Sequence, residues 1–268
     1  MAVITKITQQ KRDSERFNIF LDGEYSFSVH ESVLVQFGLT KGMELDDWAL
    51  GELQYENEIN KAFNRALHFL SFRMRSEKEI VDKLKKEEYG EAVILEAIVK
   101  LKRLNFVNDE QFAEAFMKTK IQTTKLGPQA LKREMNQKGI ARDIQDDLLS
   151  TYNEAEQFDI AKNLAEKVAR KNERQASLQV KRKIESHLLR KGYNYDMIRN
   201  VLEEIDLDRD EDEWSAIVER EGEKAWNRIS RKYSGRDLHY RVKQNLYSKG
   251  IPMEVIQEFI EMKENEDD

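Results

Sequence analysis

Apolar and polar residues alternate only near the start of the chain. The segments 17–21 and 25–29 place apolar side chains at every second position, and Asp22-Gly23 separates them. A two-residue Asp-Gly turn between alternating segments predicts a β-hairpin. The segment 3–9 alternates as well and predicts a third strand. A short helix that ends at Gly38 and a helix that begins near Asp46 are expected to follow.

From residue 58 onward the apolar spacing is helical, and one unit is repeated. In this unit a helix ends in Lys-Gly, and a second helix follows without a linker; the copies centre on Gly139, Gly192 and Gly250. Each glycine is expected to adopt the left-handed conformation that ends a helix. Four residues later comes an acid suited to a helix N-terminus: Asp143, Asp196 or Glu254.

A weaker copy precedes these three, with Glu88 at the glycine position, and there Gly90 is predicted to make the turn instead. A longer helix precedes each pair, so the unit has three helices and occurs four times. One such unit buries too little apolar surface to be stable alone. We therefore predict a mainly α fold of tandem, helix-turn-helix-like three-helix repeats, stacked into an elongated curved array, with a small N-terminal β-hairpin or meander module. The predicted domains are 1–57 (β-module), 58–107, 108–153, 154–207 and 208–268 (repeats 1 to 4).

The composition and the distribution of apolar residues exclude several classes of protein. There is no cysteine among the 268 residues, which excludes disulfides and thiolate metal sites. Neither a signal peptide nor an apolar run of 18 residues is present, so we expect a soluble, cytoplasmic protein that does not enter a membrane.

The sequence offers few candidates for catalytic or metal-binding residues. The four histidines lie far apart in the sequence, and no glycine-rich phosphate loop or nucleophile motif occurs. Acidic pairs such as Asp146-Asp147 are typical of solvated helix surfaces. We predict no catalytic site, no cofactor and no metal, and hence a protein that is not an enzyme.

Charge is distributed unevenly and suggests a binding surface. Residues 1–57 and 201–268 are acidic, whereas 118–200 contain 18 basic and 11 acidic side chains. The strongest cluster has ten basic residues against three acids: Lys162, Lys167, Arg170, Lys171, Arg174, Lys181, Arg182, Lys183, Arg190 and Lys191. This segment could follow a phosphate backbone or an acidic groove on a protein filament. The alternative is an ordinary solvated helix surface.

A second basic group contains Arg73 and Arg75, which we also treat as candidate contact residues. Acids interleave with the cations that follow. Pairing of Glu79 with Lys83 and of Asp82 with Lys86 along a helix favours a salt-bridged surface there.

Two motifs with a defined order of residues carry more information than the helical spacing of apolar positions. The first is "LSFRMRSEKEIVDKL" (70–84), the second "LKRLNFVNDEQFAEAF" (101–116), and Gly127, Leu131 and Lys138-Gly139-Ile140 follow. In order and spacing they resemble the RecX family, regulators of the RecA recombinase. The similarity is tightest over 67–150; later units match through their repeat form, and the β-module resembles the extension of longer family members.

The sequence departs from the family pattern in two places. Asn105 stands where the family has a glycine, and Asn108 replaces the first acid of an Asp-Asp pair. Asn tolerates the left-handed conformation and is a good N-cap, so both departures preserve capping.

The resemblance implies a regulator that binds RecA–single-stranded-DNA filaments and inhibits filament extension, ATP hydrolysis and strand exchange, thereby modulating recombination and DNA repair. The expected partners are the RecA filament and either single- or double-stranded DNA, and we expect a monomer. Two other functions remain open: nonspecific DNA binding by a helix-turn-helix-like protein, and a structural adaptor for other proteins.

Overall fold

The structure, a computed structural model, describes residues 1–208 and 211–267. Within them the fold is mainly helical, with a small antiparallel sheet at the N-terminus, as predicted. The strands are β1 (Ala2–Gln9), β2 (Arg16–Leu21), β3 (Glu24–His30) and β4 (Glu44–Leu45). The helices are α1 (Glu31–Gln36), α2 (Asp47–Leu70), α3 (Glu77–Lys86), α4 (Glu91–Arg103), α5 (Asp109–Thr124), α6 (Pro128–Gln137), α7 (Arg142–Ser150), α8 (Glu154–Lys171), α9 (Ser177–Lys191), α10 (Tyr195–Glu204), α11 (Glu211–Ile229), α12 (Gly235–Ser248) and α13 (Met253–Asp267).

The N-terminal module is a four-stranded sheet in the order β3-β2-β1-β4. Asp22 and Gly23 both have positive φ, which is the turn geometry that matches the twist of a hairpin. Ile4, Ile19 and Val29 are fully buried and form the core with residues of α1 and α2. The hairpin and the third strand are confirmed, and β4 is a strand that the alternation did not predict.

Helix α2 joins this module to the first repeat. Asp46 caps it, with a carboxylate oxygen that accepts a hydrogen bond from Ala49 N at 2.7 Å, as its sequence position predicts. The helix continues to Leu70, so the predicted boundary at residue 57 lies inside one continuous helix. The domain boundaries remain a prediction from sequence.

The chain divides into two compact units. One contains Met1–Phe116 and Met135–Gln145, and the other contains Met117–Glu134 and the chain from Asp146 onward. In the first unit, α2, α3 and α4 enclose a core that includes Ile80, Leu84 and Leu101. In the second, α8–α10 and α11–α13 each enclose a core of their own. These are tandem three-helix modules, as the repeat predicted.

Gly139, Gly192 and Gly250 follow α6, α9 and α12, which are the middle helices of the last three modules. These glycines do more than cap the helices. Gly139, Gly192 and Gly250 all have positive φ, as expected. A Cβ at Gly139 would lie 2.6 Å from Lys78 Cβ at the start of α3. A Cβ at Gly192 would overlap the backbone of Ala130 in α6, and one at Gly250 would overlap Leu178 in α9. Each glycine therefore packs directly against the first turn of the preceding module's middle helix.

Backbone hydrogen bonds connect the two helices at one of these contacts, which we call joints: the end of α9 against the start of α6. Gly127 N donates to Lys191 O at 2.8 Å, and Gln129 N donates to Gly192 O at 3.0 Å. The N–H groups at the start of α6 and the carbonyl groups at the end of α9 have no partners within their own helices. The joint pairs them with each other, which explains why the two backbones come so close.

The first repeat shows why glycine is absent there. Glu88 itself adopts the left-handed conformation, with φ 65°, and Tyr89 N closes the cap on Leu84 O. Gly90 instead has φ −63° and precedes α4 as its N-cap, so the predicted turn at Gly90 is wrong. Glu88 is exposed, so a side chain at this left-handed position meets only the modest backbone penalty of that conformation.

The third helices bury a position that the repeat alignment did not single out. The aligned positions Ile144, Met197 and Val255 are only half-buried. The next residue in each module is buried: Gln145, Ile198 and Ile256. Buried Gln145 donates through Nε2 to Ile140 O at 2.7 Å and to Asn136 Oδ1 at 2.9 Å. These bonds to the preceding cap satisfy the Nε2 of Gln145, whereas its Oε1 is buried without a hydrogen-bond partner in the described residues.

We expect Gly192→Ala to destabilise the protein far more than Gly42→Ala, although the two glycines have φ of 88° and 91°. Gly42 has open space around it, so only the conformational penalty of about 1–2 kcal/mol applies. At Gly192 the α6 backbone must also move, which raises the cost to about 2–5 kcal/mol. Urea unfolding and amide exchange at the start of α6 measure the difference. Equal effects of the two substitutions would show that close approach is not the constraint.

Candidate interaction surface

The C-terminal half of α8 presents basic side chains to solvent. Ala161 and Ala165 are fully buried on the core face of this helix. Lys167, Arg170 and Lys171 have the spacing of one helical face and are exposed on the other side. Arg174, just beyond the helix, is exposed too. None of these four side chains has a carboxylate within 4 Å anywhere in the described chain.

A cleft of 510 Å³ continues this surface. Four basic side chains line it, namely Lys171, Arg174, Arg220 and Lys224, and we call it the basic cleft. A guanidinium N–H of Arg220 donates to the carbonyl oxygen of Arg174 and so holds the α8–α9 loop against α11. Arg220 and Lys224 were not predicted as contact residues. They lie one helical turn apart on α11, but their local sequence is not basic overall, so only the fold brings them to the cleft.

Two acids, Glu173 and Glu221, also line the basic cleft. Glu221 is already paired. Its carboxylate lies 2.9 Å from Lys249 Nζ, 3.2 Å from Arg220 Nε and 3.4 Å from Lys224 Nζ. Partial burial alone would raise the pKa of Glu221, but its bonds to these cations lower the pKa to about 2. Glu221 therefore stays ionised at neutral pH and orders the cations without cancelling the excess positive charge.

The consecutive residues Lys181, Arg182 and Lys183 face three directions, because successive helical residues are about 100° apart. Lys183 Nζ donates to Asn172 Oδ1 at 2.7 Å, near the basic cleft. A guanidinium nitrogen of Arg182 lies 3.5 Å from the carbonyl oxygen of Ser248. Lys181 lines a separate cleft of 840 Å³ whose other charged residues are mostly acids, among them Glu185 and Glu204.

Three further residues of the predicted cluster have local partners. Lys162 Nζ lies 2.6 Å from Glu204 Oε2, and the hydrogen bond with this carboxylate raises the pKa of Lys162. Lys191 Nζ donates to Thr124 O, the last carbonyl of α5, at 2.7 Å. Arg190 lies 3.4 Å from His187. The ten residues thus do not form one continuous stripe: five of them, Lys167, Arg170, Lys171, Arg174 and Lys183, gather around the basic cleft and its margin.

Arg73 has a structural partner in the first unit. Its Nη2 donates to Glu79 Oε1 at 2.9 Å, and the same carboxylate oxygen accepts from Lys138 Nζ at 2.8 Å. Glu79 also closes the capping box with Ser76 at the start of α3, as predicted. Arg75 is close enough to Arg73 and Glu79 to feel their charges, but it makes no hydrogen bond with them; its guanidinium lies 4.0 Å from the centre of the Phe69 ring.

The predicted pairs Glu79–Lys83 and Asp82–Lys86 are wrong. Glu79 turns back to its own N-cap and to Lys138, so its carboxylate is not available along the helix. Asp82 instead pairs with Lys78 at 2.7 Å. Lys83 pairs with Glu87 at 2.7 Å. The surface is salt-bridged, but with a different pairing.

Other kinds of site find no support in the part of the chain that is described. No group of three His, Asp or Glu side chains there could hold a metal ion. No described helix is both long and apolar enough to span a bilayer.

Family models match most of the chain. The model of the regulatory protein RecX N-terminal domain matches residues 2–46. The first and second three-helix domains of RecX match 62–101 and 108–149. The third matches twice, over 154–202 and 211–260. The chain belongs to the RecX family. Within this family, the double match shows that the last two modules of the chain are both of the third-domain type.

RecX proteins of similar length confirm the assignment. Regulatory protein RecX of Bacillus licheniformis is 40% identical over 264 residues, covering 98% of this chain and all of the relative. That of Bacillus subtilis is 40% identical over 265 residues with the same coverage.

Two solved RecX structures share the fold. A crystal structure of regulatory protein RecX has a TM-score of 0.68 at 35% identity, and covers 76% of this chain and all of the solved chain. RecX from Lactobacillus salivarius has a TM-score of 0.53 at 35% identity, with 57% and 99% coverage.

We expect Lys191→Met to lower the stability of the second unit, because it removes the cation that satisfies the last carbonyl of α5. The expected cost is about 1 kcal/mol. Lys171→Met, at an exposed residue of the basic cleft, should change stability by less than about 0.5 kcal/mol. Thermal unfolding of both variants makes the comparison. Similar losses in the two would contradict the division into structural and free cations.

The pKa of Glu79 predicts a pH-dependent contribution to folding. Burial alone would raise the pKa of this carboxyl, but hydrogen bonds from Arg73, Lys138 and the Ser76 backbone lower it from 4.5 to about 2. A lowered folded-state pKa stabilises the fold above the unfolded pKa, and this contribution is lost as the pH falls from about 5 towards 2. Glu79→Gln should therefore cost about 2 kcal/mol at pH 7 and progressively less towards pH 2.

Urea unfolding of the wild type and Glu79→Gln across this pH range measures the effect. Asp82→Asn, which removes an exposed i,i+4 pair, is the matched control and should show a small difference at every pH. A wild-type advantage over Glu79→Gln that persists unchanged at pH 2 would contradict the assignment.

Proposed function

We propose that this chain binds RecA filaments on single-stranded DNA and restrains filament extension, ATP hydrolysis and strand exchange. Membership of the RecX family along the whole chain is the observation that carries the proposal. The resemblance of the 70–84 and 101–116 motifs to regulators of RecA supports the choice of partner. On this proposal the protein acts by binding and performs no chemistry on the filament.

The basic cleft and the exposed face of α8 are the proposed contact with the filament. Lys167, Arg170, Lys171 and Arg174 are exposed without carboxylate partners in the described chain. Cations that have no internal partner can bind phosphate or carboxylate oxygens without first breaking an ion pair. The same face is rigidly held, since Arg220 anchors the Arg174 loop and Glu221 orders Lys224 and Lys249.

Nonspecific DNA binding is the second candidate function. The same unpaired cations favour it, because phosphate contacts alone supply sequence-independent affinity. The two functions differ in their requirement for RecA: a filament regulator acts on assembled recombinase at low ratio, whereas a DNA-binding protein competes for free strand.

The deciding measurement is the DNA-dependent ATPase of RecA with and without this protein. Inhibition at substoichiometric amounts is expected, because one bound molecule at a growing end affects many protomers. Equal affinity for naked DNA and for filaments would favour the DNA-binding alternative. No effect at excess protein and no filament binding would leave the structural adaptor as the remaining function.

The contact surface is tested by charge reversal, with the affinity for RecA filaments as the measured quantity. Reversal of Lys171, Arg174 and Lys224 to Glu should weaken filament binding by at least about tenfold, a loss of about 1.4 kcal/mol. The control reverses Arg231, Lys232 and Arg236, which are exposed beyond the end of α11 and give the same change in net charge. Equal losses from both triple variants would indicate only a net-charge effect and would remove the basic cleft as the contact.

A further inference from the structure

The turn between α2 and α3 exposes an unusual amount of apolar surface. Phe72 is 72% exposed and Met74 50% exposed. At the turn between α4 and α5, Leu104 and Phe106 are 50% and 51% exposed. Single exposed apolar residues are common, but four large ones on two adjoining turns indicate a contact surface.

The two turns enclose a pocket of 420 Å³. Its apolar lining residues are Leu67, Leu70, Met74 and Phe106, and Arg75 is its only charged lining residue. Four uncharged polar residues complete the lining: Ser71, Asn105, Asn108 and Gln111. The volume lies within the range of about 300–1,000 Å³ of ligand sites, which combine apolar side chains with a few polar groups that fix the ligand's orientation. We call this the Arg75 pocket.

Arg75 enters the pocket without a polar partner. Its guanidinium stacks on Phe69, and its Nε is buried without a hydrogen-bond acceptor in residues 1–208 and 211–267. Burial lowers the pKa of Arg75, and repulsion from Arg73 adds to this effect. Arg75 as a whole is half-buried, so the other N–H groups of its guanidinium can donate to an acceptor supplied from outside the chain. Hydrogen bonds that involve a charged group contribute about 1.5–3 kcal/mol, so such an acceptor would be stabilising.

The surroundings of the pocket decide which acceptor fits. Arg73, the neighbouring cation, is already bound to Glu79. The acids Glu77 and Asp109 lie at the adjoining helix starts, where Asp109 accepts from Glu77 N at 2.8 Å. A nucleic acid strand needs several cations along its backbone, whereas this pocket offers one cation, beside four apolar side chains.

We infer that the Arg75 pocket binds a peptide segment of a protein partner that carries an Asp or Glu carboxylate next to a large apolar side chain. The carboxylate accepts from the Arg75 guanidinium, and the apolar side chain packs between Met74 and Phe106. Such charge-assisted bonds are stronger than neutral ones, and the apolar walls exclude water from them. The pocket requires neither nucleic acid nor recombinase, so its test is independent of the filament assay.

Nuclear magnetic resonance of the full-length protein tests the inference with N-acetyl-aspartyl-phenylalaninamide as the probe. The Met74 methyl signal and the Arg75 Nε–H signal should shift and saturate together. The asparaginyl counterpart, which has the same shape without the charge, should bind at least about tenfold more weakly. Arg75→Gln should abolish the Met74 shift, and Arg103→Gln, at an exposed arginine at the end of α4, should retain it.

Folding of Arg75→Gln is checked by the remaining methionine methyl signals, which should stay in place. If they move, Arg75→Lys, which keeps the charge and loses the buried Nε, replaces it and should weaken the shift. Equal binding of the aspartyl and asparaginyl probes would overturn the inference. So would a short oligo-dT that shifts the same two signals at lower concentration than the dipeptide, because the surface would then be a nucleic-acid site.

Discussion

Close packing of another helix against three left-handed glycines is the constraint on which the tandem modules depend. At Gly139, Gly192 and Gly250 the chain must both turn with positive φ and leave no side chain, because the first turn of another module's middle helix occupies that space. The position of each glycine after a helix in the sequence suggests only the first requirement, the positive φ of a helix cap. The second explains why Glu88, in the first repeat, manages the same turn without glycine.

The lysines before these glycines belong to the same joints, and this separates structural charges from available ones. Lys138 binds Glu79, Lys191 binds the end of α5, and Lys249 binds Glu221. A basic run read along the chain therefore overstates the basic surface. What remains around the basic cleft is smaller but has cations without internal carboxylate partners, which is the property that a polyanionic or acidic partner requires.

The two candidate surfaces differ in chemistry. The basic cleft in the second unit has four cations and two acids, of which Glu221 is firmly paired. The Arg75 pocket in the first unit has one cation, whose Nε has no hydrogen-bond partner in the described residues, beside both apolar and uncharged polar side chains. The first suits oxygens spread along a polymer, and the second suits a single carboxylate beside an apolar group. Separate weak contacts on one chain reinforce each other when they engage the same assembly, so the two surfaces do not exclude one another.

Local chemistry alone determined the hairpin at Asp22-Gly23, the capping box at Ser76, the left-handed Asn105 and the three-helix repeat, because each depends on residues close in sequence. Most of the fold was therefore predictable. Only the tertiary structure decided that Arg220 and Lys224 join Lys171 and Arg174, that Lys181 faces an acidic cleft, and that buried Gln145 occupies a core position. These features depend on which helix faces pack together across distant parts of the chain. The spacing of residues along one helix shows which side chains share a face, but not which other helix that face meets.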